Sequence, residues 1–64
     1  MVKINGEYQD VAGMRLMDYL LQEKYDPKKI AVECNEEIVL KSQYESFVLK
    51  ENDTLEIVRF VGGG

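Results

Sequence analysis

Thr54-Leu55-Glu56-Ile57-Val58-Arg59-Phe60-Val61-Gly62-Gly63-Gly64 closes the chain, and its reading decides the fold. Leu55 and Ile57 alternate with Thr54 and Glu56, the period-two pattern of a half-buried strand. Most side chains from Thr54 to Val61 are aliphatic, β-branched or aromatic, which suits a pleated surface. Then side chains stop. Gly62, Gly63 and Gly64 have no Cβ with which to pack, so the strand is expected to run into a flexible tail. At about 3.3–3.6 Å per residue the three glycines reach about 10 Å beyond the last packed residue. A side-chain-free arm ending in a carboxylate at Gly64 suits insertion into a narrow active site on another protein. Alternation also sets Glu56, Val58 and Phe60 on the face opposite Leu55 and Ile57. Val58 and Phe60, with Val61 beside the arm, are expected to form an exposed apolar patch that a partner covers.

Working outward, Val2-Lys3-Ile4 alternates and meets Asn5-Gly6, the strongest short hairpin signal, with Glu7 to Val11 as the returning strand. Ala12-Gly13 breaks that strand. Between Met14 and Lys24, Leu16, Met17, Leu20 and Leu21 recur at helical spacing, with Asp18, Gln22 and Glu23 turned to water. Gly13 is the expected N-cap, and Asp26-Pro27 ends the helix because the residue before proline avoids the α region. Ile30 to Cys34 reads as a third strand, Asn35-Glu36 as a turn and Glu37 to Leu40 as its partner strand. Ser42 to Ser46 can make a short helical turn that carries Tyr44 inward, and Phe47, Val48 and Leu49 lead back to the core. Glu51-Asn52-Asp53 turns the chain into the last strand. Two hairpins separated by one helix predict an α+β domain, a mixed sheet of about five strands packed on one helix. The first and last strands are expected side by side and parallel in its middle.

The totals narrow the function. A chain of 64 residues is read as one domain over 1–64. It buries only about 60% of its unfolded surface, which leaves no room for both a core and an enclosed substrate pocket, so an enzyme is not expected. The chain has no histidine and a single cysteine, Cys34, so no zinc or disulfide framework is expected. Cys34 lies among strand residues and reads as a small buried hydrophobe. The lone cysteine and the lack of a signal peptide fit the cytoplasm. No apolar run approaches the ~20 residues of a membrane span. The net charge of −4 argues against nucleic acid and anionic membranes and favours a partner with a basic face. Glu36 with Glu37, and Glu7 with Asp10, lack a base partner or a metal-ligand spacing and read as solvated surface charges.

The element order and the terminal glycine run resemble the ubiquitin-like β-grasp fold. Four stretches resemble the ThiS family, the sulfur carriers of thiamine thiazole biosynthesis. They are Ile4-Asn5-Gly6-Glu7; Gly13 followed by Leu16, Leu20 and Leu21; Val32 through Val39, with Tyr44 at an aromatic position of that family; and Asn52 through Val58 continued by Phe60-Val61-Gly62-Gly63-Gly64. The chain departs from the family at Arg15, where threonine is frequent, and at Leu40, where proline is.

The resemblance implies a carrier that does no catalysis itself and holds no cofactor. A ThiF-like adenylyltransferase uses ATP to adenylate the Gly64 carboxylate. Sulfur from a sulfur-donor protein or from the activating enzyme then replaces AMP, and the resulting thiocarboxylate serves a ThiG-like thiazole synthase. Gly62 and Gly63 let the backbone pass a tight channel. Three other readings stay open on the residues alone: a molybdopterin-synthase small subunit, a ubiquitin-like modifier joined to lysines through Gly64, and a plain interaction domain.

Overall fold

Asn5-Gly6 and Asn35-Glu36 make the two tight hairpins that organise the sheet. Asn5 (φ 49°), Gly6 (φ 86°), Asn35 (φ 52°) and Glu36 (φ 70°) all have positive φ, the backbone that two-residue hairpins need to match the twist of their strands. The computed structural model describes residues 1–60, so the expectations for Val61, Gly62, Gly63 and Gly64 lie outside the described residues. The strands are β1 (Val2–Ile4), β2 (Glu7–Gln9), β3 (Ile30–Cys34), β4 (Glu37–Val39) and β5 (Thr54–Arg59), with one helix, α1 (Leu16–Gln22). Short 3₁₀ turns cover Pro27–Lys29 and Lys41–Gln43.

The sheet runs β2-β1-β5-β3-β4. β5 is central, parallel to β1 through Lys3–Thr54 and Ile4–Leu55, and antiparallel to β3 from Cys34–Leu55 to Ile30–Arg59. This is the expected mixed five-stranded sheet on one helix, with the first and last strands adjacent and parallel. Leu16, Tyr19 and Leu20 of α1 form one core cluster with the inward residues of the sheet, including Val2, Ile4, Val32, Leu55 and Ile57. Tyr44, expected to turn inward after a short helical turn, is 1% exposed.

The helix differs from the sequence reading in three ways. It is shorter, and its N-cap is Arg15 (φ −73°, ψ 144°), with no side-chain cap; Gly13, the expected cap, stands outside it at φ 96°. The reason is tertiary. Gly13 N–H donates to the Leu49 carbonyl and Leu49 N–H donates back to Met14, so this segment pairs with the returning loop and does not coil. The first helical amides then find carbonyls of that loop, Leu16 N–H on Phe47 (2.7 Å) and Met17 N–H on Tyr44 (3.0 Å). Those bonds satisfy donors that a side-chain cap would otherwise serve.

Leu21 is the third correction. It is 57% exposed, and Tyr19, not counted on the apolar face, is buried. With Leu16 at the centre of the buried face, Tyr19 and Leu20 fall close to it at about 100° per residue, while Leu21 lies about 140° away. Two strands also stop early, β2 at Gln9 and β4 at Val39. Val11 nevertheless joins the core from the loop.

Candidate functional site

β5 delivers the glycine-bearing end of the chain, and two neighbours hold it. On one side the β3 ladder runs to Arg59, and Phe60 N–H continues it by donating to the Lys29 carbonyl at 2.9 Å. On the other side β1 is too short, because the chain turns at Asn5. The Asn5 side chain substitutes for the missing strand: its Oδ1 accepts from Ile57 N–H at 2.7 Å, and its Nδ2 donates to the Ile57 carbonyl at 3.2 Å. Asn35 acts similarly at the start of β5. Thr54 N–H donates to its Oδ1 at 3.0 Å, and its Nδ2 donates to Asp53 Oδ1 at 3.0 Å. An amide carries a donor and an acceptor together and so reproduces one unit of a backbone ladder.

The face of β5 away from the helix is open. Leu55 and Ile57 are buried, whereas Val58 is 58% and Phe60 60% exposed, as alternation requires. Val58 stands opposite Ala31, and Glu56 opposite Glu33, which in turn faces Ile38 on β4. Residues directly opposite one another share a face, so Ile38 belongs to the same outer surface, and it is 72% exposed. The sequence reading missed Ile38. Its signal was available, since an inward Val39 forces its neighbour outward. Leu40, just beyond β4, is exposed as well. The expected patch of Val58 and Phe60 is therefore wider, while Val61 and the three glycines lie outside the described residues.

Cations and acids lie at different places on this surface and at its edge. Lys41 Nζ lies 5.7 Å from the centre of the Phe60 ring and donates to the Ile30 carbonyl at 2.8 Å. The Arg59 guanidinium, on the helix side of β5 by the same alternation, stacks on Tyr25 at 4.4 Å. Glu33 and Glu56 face one another directly, a like-charge pair.

No nucleophile emerges from Cys34. It is 6% exposed, and burial, with the Asp53 carboxylate as a second cause, pushes its thiol up to about 11. It is a neutral thiol at pH 7, as the buried-hydrophobe reading requires. Among the described residues no group of three or more acids and cysteines is placed to hold a metal ion, and no helix is long and apolar enough to cross a membrane. The cleft beside Cys34 measures about 400 Å³ and is lined largely by polar side chains such as Asn35, Gln43 and Lys50.

A family model described as ThiS family matches residues 2–64. The chain belongs to the ThiS family. Among ThiS relatives, it is 37% identical over 68 residues to the sulfur carrier protein ThiS of Bacillus subtilis, covering 100% of both chains. It is 45% identical over 62 residues to a thiazole synthase of Paramagnetospirillum magneticum, using 95% of this chain. The chain spans about a fifth of the length of the thiazole synthases it matches. The crystal structure of a thiamine biosynthesis protein (ThiS) from Geobacter metallireducens superposes with a TM-score of 0.75 at 24% identity, covering 98% of this chain and 97% of that one. That likeness bears out the β-grasp fold.

Proposed function

We propose that this chain is a sulfur carrier of thiamine thiazole formation, with Gly64 as the terminal residue of its active form. The observation that carries the reading is that the ThiS match runs to residue 64, across the glycine run. The whole-length likeness to the Bacillus subtilis carrier supports it over a molybdopterin-synthase subunit or a protein modifier.

The chemistry belongs to the partners. A carboxylate is a poor electrophile. In a ThiF-like adenylyltransferase the Gly64 carboxylate attacks the α-phosphorus of ATP, pyrophosphate leaves and an acyl adenylate forms. A persulfide sulfur on a donor protein displaces AMP, and a thiol then cleaves the new sulfur–sulfur bond to leave the thiocarboxylate. A ThiG-like thiazole synthase takes that sulfur. The likeness to thiazole synthases supports this last partner.

The chain's own part is to bind and to aim. The Asn5 clasp and the Lys29 bond hold β5 up to Phe60, so the arm starts from a defined point. Val58 and Phe60 beside that point give the partners an apolar surface to cover, and its burial offsets the entropy lost when the glycine arm is ordered.

Removing Gly64 tests the reading. The shortened chain is expected to melt as the full one does and to form no adenylate with ATP and a ThiF-like enzyme. Normal adenylation of the shortened chain would refute the assignment of Gly64. Intact mass measured from cells identifies the terminal residue and its state. Replacement of one oxygen by sulfur supports the carrier, and an isopeptide adduct supports a modifier instead.

A further inference from the structure

The net charge of −4 conceals a local reversal of sign at the root of the arm. Four of the chain's eight lysines and arginines gather there. Lys24, Lys29 and Arg59 line one cleft together with Phe60, and Asp26 is the only acid among the described residues of its lining. Lys41 reaches the same aromatic ring from β4's side of the sequence, 5.7 Å from its centre. Lys24 and Lys29 are exposed, and the one ion pair among the described residues lies elsewhere, between the Met1 amino group and Glu51.

The acids collect at the other end of β5. Glu33, Glu36 and Glu56 line a single cleft with Asn35 and Thr54. Glu56 and Phe60 are four residues apart, about 13 Å along a strand. That exceeds the Debye length of ~8 Å at physiological salt, so an approaching surface senses each end by its own sign.

We propose that the basic collar formed by Lys24, Lys29, Lys41 and Arg59 around Phe60 docks against an acidic rim at the mouth of the adenylating enzyme's channel. This rests on the carrier reading above, and it reverses the sign of partner surface that net charge alone suggests. The occupant is a protein surface that offers carboxylates around an apolar recess for Phe60. It is not the nucleotide. At about 3.3–3.6 Å per residue, the four residues after Phe60 can carry the Gly64 carboxylate up to about 14 Å from it, beyond the screening length from the collar to the phosphates. The collar therefore steers the body of the carrier, and the arm alone meets ATP. Charged groups at the edge of an interface act chiefly on association rate and its salt dependence.

The test is stopped-flow association with a nucleotide-free ThiF-like adenylyltransferase that adenylates the wild-type chain, measured at low and high salt. The double variant Lys24→Glu, Lys29→Glu is expected to associate at least 10-fold more slowly at low salt, with the difference shrinking at high salt. Its melting temperature is expected to match the wild type. The variant Glu33→Gln, Glu56→Gln, at the acidic end, is expected to associate as fast as the wild type or faster. If the wild type is adenylated and the lysine variant associates as fast as it does, the collar proposal is wrong and the carrier reading stands. If the lysine variant is slow only when ATP is present, the cations read phosphate and the proposal is wrong. If no such enzyme adenylates the wild type, the carrier reading falls and takes this proposal with it.

Discussion

The side-chain amide of Asn5 grips both backbone polar groups of Ile57, accepting from its N–H at 2.7 Å and donating to its carbonyl at 3.2 Å. β1 ends one residue earlier, at Ile4, so this single amide extends the parallel pairing along β5. Replacing Asn5 with alanine removes both bonds and leaves two part-buried backbone groups unpaired. The expected loss is about 1–3 kcal/mol, the usual cost of stranding such groups. Alanine also tolerates φ 49° poorly. Denaturant midpoints measure the loss, and Asn5→Asp, which keeps the acceptor, is expected to fall between. An unchanged midpoint for Asn5→Ala would show that the clasp contributes nothing.

Leu20 and Leu21 are neighbours with opposite fates, 0% and 57% exposed. Leu20→Ala is expected to destabilise by roughly 2–5 kcal/mol, the range for a buried leucine. Leu21→Ala is expected to stay within about 0.5 kcal/mol, as exposed substitutions do. Equal shifts in the two melting curves would mean that the helix is rotated from the orientation described.

Phe60 has a held backbone and an exposed ring. Its N–H is held by Lys29, while its side chain is 60% exposed. Phe60→Ala is expected to leave the melting temperature nearly unchanged. Binding to the activating enzyme is expected to weaken by more than about 1 kcal/mol, the threshold of an interface residue that matters. On the proposed carrier reading the same loss is expected with a thiazole synthase, which would receive the same arm from the same side. Early melting with normal binding would return Phe60 to a structural role.

Cys34 makes stability depend on alkaline pH. Its thiol is pushed up to about 11 in the folded chain, by burial first and the Asp53 carboxylate second, against ~8.5 when unfolded. Between those values the unfolded chain has lost the proton that the folded chain keeps, so raising the pH favours unfolding. The contribution is complete below about pH 8.5 and disappears as the pH climbs through 11. Tyr19 and Tyr44, raised chiefly by burial, add to the decline at the upper end. Urea midpoints taken from pH 8 to 11 are expected to fall less steeply for Cys34→Ala. Identical slopes would mean that the thiol titrates in the folded chain as it does in the unfolded one.

What the sequence determined by itself is whatever neighbouring residues settle among themselves. Asn5-Gly6 makes a hairpin because both residues accept positive φ. Alternation alone sends Leu55 and Ile57 inward and Val58 and Phe60 outward. The absence of histidine leaves Cys34 without an activating base. The glycine run, together with the stretch from Val32 to Val39, was enough to suggest the ThiS family. Only the tertiary structure decided the features made by residues far apart in the chain. The pairing of Gly13 and Met14 with Leu49, and the Phe47 and Tyr44 carbonyls on the first helical amides, shortened α1 at its start. The Asn5 grip on Ile57 spans 52 positions, and the cations around Phe60 come from three separate segments. No local period encodes such contacts, because a hydrophobic pattern specifies which face of an element is buried and not which residue of another element stands opposite it.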